Sequence, residues 1–460
     1  MTRSIVLMAA ARAISLVFGI LLLGVLGRRL GPSGFGTLQF ALAIMVYPTL
    51  VVDLGLTTFG LRELAKGSPS GGIIREVLGA RSVLALGVVF VVLGTVVVLP
   101  LEAETRTILV VLAIALPVSA MNVRWVLQGE QRFDRAAVIE ILSTGTQLVA
   151  AVFLVQNPGD VVPAAAALTL ATCVTTVSSI VLAGRWRRFR PEIGREVRRT
   201  IARSLPLGAA AISIAIYYSI DTVLVGIFRG EQEVAFYTAA YRLILPILAL
   251  AGVVASVAIP HLSFLSVSDE TAANHAAVDL SRRLVVVALP IAVGGALVAE
   301  PIIATVYGSS FLPAADPFRI LIWSVVTVYA NAAFAFLLLA RQRDLRYLWA
   351  VTAGAAVNVG LNLLVIPVAG MIGAAVTTMA SEILVLGLIL WWTRDVSLRA
   401  VLGATRAAAP PTIVMAVAIW PVKGSLVAVP LGLVVYGLVA IATGAIPVKH
   451  LFDRRIPRES

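Results

Sequence analysis

The residues best placed to do chemistry in this sequence are polar side chains set inside long apolar runs. A charge there costs roughly 2.5–3.5 kcal/mol on insertion scales and needs a partner or a wet cavity. Arg12 lies between Ala11 and Ala13, and Arg242 follows Tyr241, with Tyr237 about one turn earlier. Such a guanidinium can line a cavity and grip phosphate-type oxygens with paired N–H donors. It can equally run its stem through lipid and place its head at the nearest interface; Arg124, within a turn of the end of its run, fits that second role. Asp53 stands in Val52-Asp53-Leu54-Gly55-Leu56. Asp221 follows Tyr217 and Tyr218 closely enough for both phenols to share its helix face. Either acid could carry a proton or a sodium ion, or pair with an intramembrane arginine. Asn358 and Asn362 put two amides on one helix face. With Glu382 they suit hydrogen bonding between helices or contact with sugar hydroxyls.

Groups for covalent or metal chemistry are missing from the pattern. Cys173 is the single cysteine and sits in an apolar run, so it offers neither a disulfide nor a metal site. His261, His275 and His450 are scattered in polar segments without zinc spacing. No nucleophile–base pair or phosphate loop is present, so no catalysis, metal or cofactor is expected.

The elements that hold these side chains follow from composition. The chain has 460 residues, of which 60% are hydrophobic and 13% charged, about half the charged share of ~25% in a soluble domain. Its mean hydropathy is +0.99. That excludes a soluble globular fold, a disordered chain and a disulfide scaffold. The apolar runs are about 20 residues long and unbroken, as a ~30 Å bilayer core requires of helices; a β-barrel would alternate instead. The expected fold is an all-α integral membrane protein of about 14 transmembrane helices. The runs lie near 5–26, 36–61, 82–100, 106–127, 136–155, 161–183, 205–227, 234–259, 284–299, 318–340, 347–367, 371–392, 408–422 and 425–446. The first run is too long for a signal-peptide core and is expected as a retained helix.

The net charge is +12. On a membrane protein it reads as basic loops on one face rather than as a nucleic-acid surface. With the N-terminus cytoplasmic, only Arg28, Arg29, Arg106, Arg229, Arg319 and Lys423 fall in outward segments. Most of the other Arg and Lys fall inward, so both termini are expected in the cytoplasm, with the chain in the cytoplasmic membrane. The longest basic stretch, from Arg185 to Arg203, reads as a solvated linker drawn to anionic lipid. It separates a weak internal repeat: Gly27-Arg28-Arg29-Leu30-Gly31 and Gly226-Ile227-Phe228-Arg229-Gly230 each follow the first run of a half, and Pro48 and Pro246 follow at similar distances. The expected organisation is a six-helix lobe over 1–184, a basic linker over 185–204, a second six-helix lobe over 205–393, and two extra helices with a tail over 394–460. Parallel repeats of this kind place a transporter's substrate between the halves.

Four stretches resemble one family. Arg28-Arg29-Leu30-Gly31-Pro32-Ser33-Gly34-Phe35-Gly36, with Asp53-Leu54-Gly55-Leu56 and Arg62-Glu63, is similar to the N-terminal signature of polysaccharide-biosynthesis flippases of the O-antigen type, in the multidrug/oligosaccharidyl-lipid/polysaccharide exporter superfamily. Leu127-Gln128-Gly129-Glu130-Gln131-Arg132-Phe133 resembles the loop after the fourth helix. Asp221-Thr222-Val223-Leu224-Val225-Gly226, with Phe236-Tyr237-Thr238-Ala239-Ala240, resembles the family's seventh-to-eighth helix motif. Asn358-Val359-Gly360-Leu361-Asn362, Pro367, Gly370, Gly373-Ala374-Ala375 and Glu382 resemble its C-terminal motif. The resemblance implies a transporter that flips polyprenyl-pyrophosphate-linked oligosaccharide by alternating access for export of surface polysaccharide. The partners it implies are that lipid-linked oligosaccharide and membrane lipids, with coupling to protons, sodium or neither left open. The expected state is a monomer. Arg12 and Arg242 would hold the pyrophosphate, with Tyr217, Tyr218, Asn358 and Asn362 as further substrate contacts. Asp53, Asp221 and Glu382 would couple an ion or form structural pairs.

The rival readings are a cation-coupled multidrug exporter of the same superfamily and a membrane glycosyltransferase or polymerase. The first prefers an acidic cavity. The second needs catalytic groups in long outward loops, and the longest such loop, about 300–317, holds only Glu300 and Asp316. A channel would need a filter-like segment, which is lacking.

Overall fold

The computed structural model describes residues 2–66, 70–98, 102–184 and 189–445. The start of the basic linker (Arg185, Arg187 and Arg188), His450 and the C-terminal basic residues from Lys449 lie outside the described residues, as do the side chains of Tyr217 and Tyr218.

Apolar runs in a bilayer can satisfy their backbone only within a helix, and among the described residues each predicted run falls largely on helix. The elements are α1 (Thr2–Asp53), α2 (Leu56–Ala65), α3 (Ser70–Val98), α4 (Ala103–Ala120), α5 (Arg124–Gly129), α6 (Phe133–Leu154), α7 (Val161–Ala183) and α8 (Arg195–Arg229). They continue with α9 (Glu231–Ser268), α10 (Glu270–Leu297), α11 (Ala299–Tyr307), a 3-10 turn (Ser309–Ala314), α12 (Ala315–Leu321), α13 (Ser324–Ala340), α14 (Asp344–Trp392), α15 (Ser397–Ile419) and α16 (Ala428–Ala442). No strand occurs among the described residues. Ten helical segments among them are long and apolar enough to cross a membrane.

α14 contains two predicted runs, and α1 contains the run 5–26 and most of 36–61, which breaks at Leu54 and Gly55 (φ 40° and 75°) and resumes in α2. α1 bends at Gly31 (φ 67°, ψ 179°), and Pro32 follows, with no N–H to donate. α14 bends at Gly370 (φ 56°, ψ −138°), three residues after Pro367. Elsewhere the boundaries shift. The run 106–127 is broken, because α4 ends at Ala120 and α5 restarts at Arg124. The interrupted run 284–299 belongs to a helix of 28 residues that passes straight through Pro290. The basic linker is helical from Arg195 onward, as the first turns of α8. α16 has 15 residues, about 22 Å at ~1.5 Å each, shorter than a ~30 Å core.

The chain divides into two compact units. The first comprises Met1–Thr238 with Val306–Ser310, and the second Ala239–Thr305 with Phe311–Ser460. In the first, α2, α3, α5, α6 and α7 close around Leu56, Phe59, Leu78, Trp125, Leu127 and Ile139. The ring of Tyr307 meets Phe35 edge-on at 5.8 Å. In the second, Phe334, Leu337 and Leu338 of α13 pack with Leu262, Val385 and Ile389. Beside them, Val286, Met415 and Tyr436 tie α10, α15 and α16 together. Phe90, Phe153, Val257 and Leu433 stay exposed, as lipid-facing side chains do.

Between α6 and α7 the chain turns on Asp160. Its carboxylate accepts the backbone N–H groups of Gln156 and Asn157, each at 2.7 Å. Those donors hold the carboxyl below the usual carboxylate range. A lowered folded-state pKa stabilises above the unfolded value and ceases to do so as pH falls through the folded one. Asp160→Ala is therefore expected to melt below wild type in detergent at about pH 7. The gap should shrink as pH drops below about 3.9, read as Tm against pH.

Candidate functional site

The most elaborate polar cluster lies in the first unit, where the C-terminus of α1 meets α3, α4 and α5. Asp53 is the last residue of α1, and the hydroxyl of Thr57, four residues on, donates to its carboxylate. Arg81 of α3 stands opposite, its Nε 3.7 Å from Asp53 Oδ1. The rest of its guanidinium closes the open end of α4. Nη2 donates to the Ser119 carbonyl at 2.9 Å and Nη1 to the Asn122 carbonyl at 3.1 Å. Ser119 lies in the last turn of α4 and Asn122 in the link that follows it, so the cation sits where the helix dipole is negative.

Asn122 then restarts the helix: its side-chain oxygen accepts the backbone N–H of Arg124 at 2.9 Å. Arg124 and Trp125 therefore occupy the first turn of α5. Arg124 donates to Glu140 of α6, and the other oxygen of Glu140 accepts from Arg12 Nη1 at 3.1 Å. One carboxylate, only 13% exposed, thus bridges two arginines, one of them 65% exposed. Thr144, one turn on from Glu140, donates to Ser15 at 3.2 Å and holds α6 against α1.

Thr49, Asp53, Thr57, Arg81, Ser119, Asn122, Arg124, Trp125 and Gln128 line an open cleft of about 380 Å³. Its ionised walls are two guanidiniums and one carboxylate, a net positive charge. Such a hollow can orient an anion by charge and hydrogen bonds. Among the described residues no group of three or more His, Cys, Asp or Glu is arranged to hold a metal ion.

The other sequence-predicted residues lie elsewhere. Asp221 of α8 is buried at 2% exposure. It accepts the Tyr237 hydroxyl of α9 and the Thr222 N–H, the latter at 2.7 Å. Arg242 is half-buried on α9 in the second unit. Asn358 and Asn362 are both buried. The bend at Gly370 folds α14 back, so Asn362 Nδ2 donates to Asn358 Oδ1 at 3.0 Å on one arm. Across to the other arm, Asn358 Nδ2 donates to Ser381 at 3.3 Å, and the Thr377 hydroxyl donates to Asn362. Glu382, next to Ser381, is buried on that same second arm.

The structure thus joins Arg12 to Arg124 through Glu140, Asp53 to Arg81, and the two asparagines to each other. Glu140, Arg81 and Trp125 are not among the sequence-predicted site residues. Glu140 carries the same signal as Asp53, an acid inside an apolar run, and would have been found by it. Arg81 reads as a loop charge, because its role depends on where α4 ends.

Long bent helices with arginines turned onto carbonyls and carboxylates define a multi-pass, all-α membrane protein. Its fold is similar to the structure titled "Lipid II flippase MurJ, inward closed conformation", with a TM-score of 0.79 and 16% identity over 97% of this chain and 99% of that one. It is also similar to an inward-facing multidrug resistance MATE family transporter of the MOP superfamily, with a TM-score of 0.65 and 17% identity over 87% and 99% of the two chains. Residues 1–266 match the family described as polysaccharide biosynthesis protein, and the chain belongs to that family. Teichuronic acid biosynthesis protein TuaB of Bacillus subtilis (strain 168) is 26% identical over 147 residues, 32% of this chain. The "Putative O-antigen transporter" of Escherichia coli (strain K12) is 21% identical over 244 residues, 52% of this chain. The matches span 30% and 59% of the length of these two relatives.

The two arginines of the cluster differ in what they hold up. Arg81→Ala strips the Ser119 and Asn122 carbonyls and Asp53 of a buried cationic partner and is expected to cost about 3 kcal/mol. Arg12→Ala removes the more exposed of the two arginines on Glu140, which keeps Arg124 as its partner, and is expected to stay within about 1 kcal/mol. Thermal unfolding of both variants in the same detergent checks the order.

Proposed function

We propose that this chain carries polyprenyl-pyrophosphate-linked oligosaccharide across the cytoplasmic membrane by alternating access, for export of surface polysaccharide. In this reading both termini are cytoplasmic. Lobes over 1–184 and 205–393 alternate about the substrate, with 185–204 as linker and 394–460 as additional helices. The monomer is the working unit. The observation that carries the reading is an arginine-lined hollow inside an apolar helical shell, in a member of the polysaccharide biosynthesis family. The fold's likeness to a flippase and the sequence's likeness to an O-antigen transporter and a teichuronic acid biosynthesis protein support the same reading.

The physics asks for such a device. A pyrophosphate and a glycan cannot shed their water in hydrocarbon without a prohibitive cost. A wet cationic path lowers that cost while the polyprenyl tail stays in lipid. Arg12 and Arg242 are the proposed phosphate ligands, with Tyr217 and Tyr218 beside the head group. Asn358 and Asn362 fit a tie between the arms of α14 better than a sugar contact, since both amides are engaged there. Asp53 beside Arg81 and Asp221 under Tyr237 fit structural partners better than freely titrating ion carriers; Glu382 is kept as an ion-coupling candidate.

A multidrug exporter is the second reading, favoured by the MATE-like fold. The excess of arginine over carboxylate in the cleft opposes organic cations. The chain acts without covalent catalysis in our reading. Glu300 and Asp316, the acids of the long outward segment, are both engaged by Arg319.

Arg12→Ala and Arg242→Ala are each expected to lower glycan export by about tenfold in a flippase-deficient strain, at unchanged protein level. Normal export from the double variant would overturn the assignment of these residues. Ethidium efflux that survives in this variant and follows the chain's expression would favour the exporter instead.

A further inference from the structure

A short stretch of the chain leaves one unit and is seated in the other. Thr305 and Phe311 fall in the second unit, yet Val306–Ser310 between them packs in the first. It rests on the corner that α1 makes at Gly31. Tyr307 is fully buried there, and its ring meets Phe35, just past the corner, edge-on at 5.8 Å. Before the corner, Arg28 Nε donates to the Val306 carbonyl at 3.1 Å.

The seat is made of bare backbone. A Cβ added at Gly24 would lie 3.0 Å from the Val306 carbonyl oxygen, and one added at Gly27 would lie 2.6 Å from the Tyr307 ring. Glycine at both positions lets the stretch lie flat on the helix. A ring can leave such a surface without waiting for a side chain beneath it to change rotamer. The chain then turns at Gly308 (φ 98°), and Ser309 and Ser310 are exposed.

Val306 and Tyr307 are also the last residues of α11, whose earlier residues Ala299–Thr305 belong to the second unit. A helix moves as a rigid body, so Tyr307 has to travel with them. Alternating access, as proposed above, shifts one half of a transporter against the other. Under that shift Tyr307 cannot both follow α11 and stay against Gly27 and Phe35. Resting on the transport reading, we propose that Val306–Ser310 is a releasable clasp. Tyr307 is seated at the α1 corner in one state of the cycle and withdrawn in the other, and Arg28 sets how firmly the seated state holds.

The test uses the full chain. Cys173 is its single cysteine, so Cys173→Ala gives a thiol-free background. Gly27→Cys with Tyr307→Cys then suits a disulfide, because a Cβ added at Gly27 lies 3.5 Å from the Tyr307 Cβ, within the ~3.5–4.5 Å such a bond spans. In proteoliposomes, oxidation of this variant is expected to abolish translocation of a polyprenyl-pyrophosphate sugar, and reductant to restore it. Equal rates before and after reduction overturn the clasp and leave the transport reading standing.

A second measurement is independent of transport and decides the matter should the double variant be inactive when reduced. Spin labels are placed in the same background at Ser309→Cys and Gly159→Cys, the latter an exposed position where an added Cβ meets nothing within 4 Å. Double electron–electron resonance in nanodiscs is expected to show two distances, one seated and one released. Arg28→Ala should raise the released population about threefold. A single distance, the same with and without Arg28→Ala, overturns the inference. Two distances in a chain that moves no lipid-linked sugar would refute the transport reading alone.

Discussion

Water is not available to a polar group inside hydrocarbon, so every carbonyl and charge there must find its partner in the protein, at a cost of several kcal/mol if it does not. That constraint organises the first unit. Four of its arginines bond carbonyls at helix ends. Arg81 takes the Ser119 carbonyl in the last turn of α4 and the Asn122 carbonyl just beyond it, Arg29 takes the Val152 and Val155 carbonyls at the end of α6, and Arg132 and Arg135 take the Ala183 and Leu182 carbonyls at the end of α7. The cation also meets the negative end of each helix dipole. Arg81 and Arg132 thus join helices that are far apart in sequence, and the cleft walls inherit their positions from those helix ends.

The same constraint explains what can be read without coordinates. A run of leucine, valine and alanine has one stable conformation in a bilayer, so the helices and their order are plain in the sequence. The bends at Gly31 and Gly370 are also legible, because a glycine with a proline beside it, as at Pro32, or within a turn, as at Pro367, marks where a helix can turn. The spacing of Asn358 and Asn362 gives a shared face. Their partners Thr377 and Ser381 become visible only once α14 doubles back at Gly370. Glu140 and Arg12 meet across 128 residues, a pairing that no local pattern encodes. The early end of α4 depends on an Asn122 side chain accepting from Arg124 and on Arg81 arriving from another helix. Composition sees neither, and the expected single run 106–127 is therefore two helices.

These features describe a protein that pairs its buried charge internally, Arg81 with Asp53 and Arg124 with Glu140. In the proposed transport reading, a head group must likewise leave water without losing all its partners. The closest test of that account is translocation by purified protein in liposomes loaded with a fluorescent polyprenyl-pyrophosphate sugar, followed by an external quencher that cannot cross the bilayer. The account predicts that label initially on the inner leaflet becomes quenchable at a rate that rises with protein content. A rate equal to that of protein-free liposomes would contradict it.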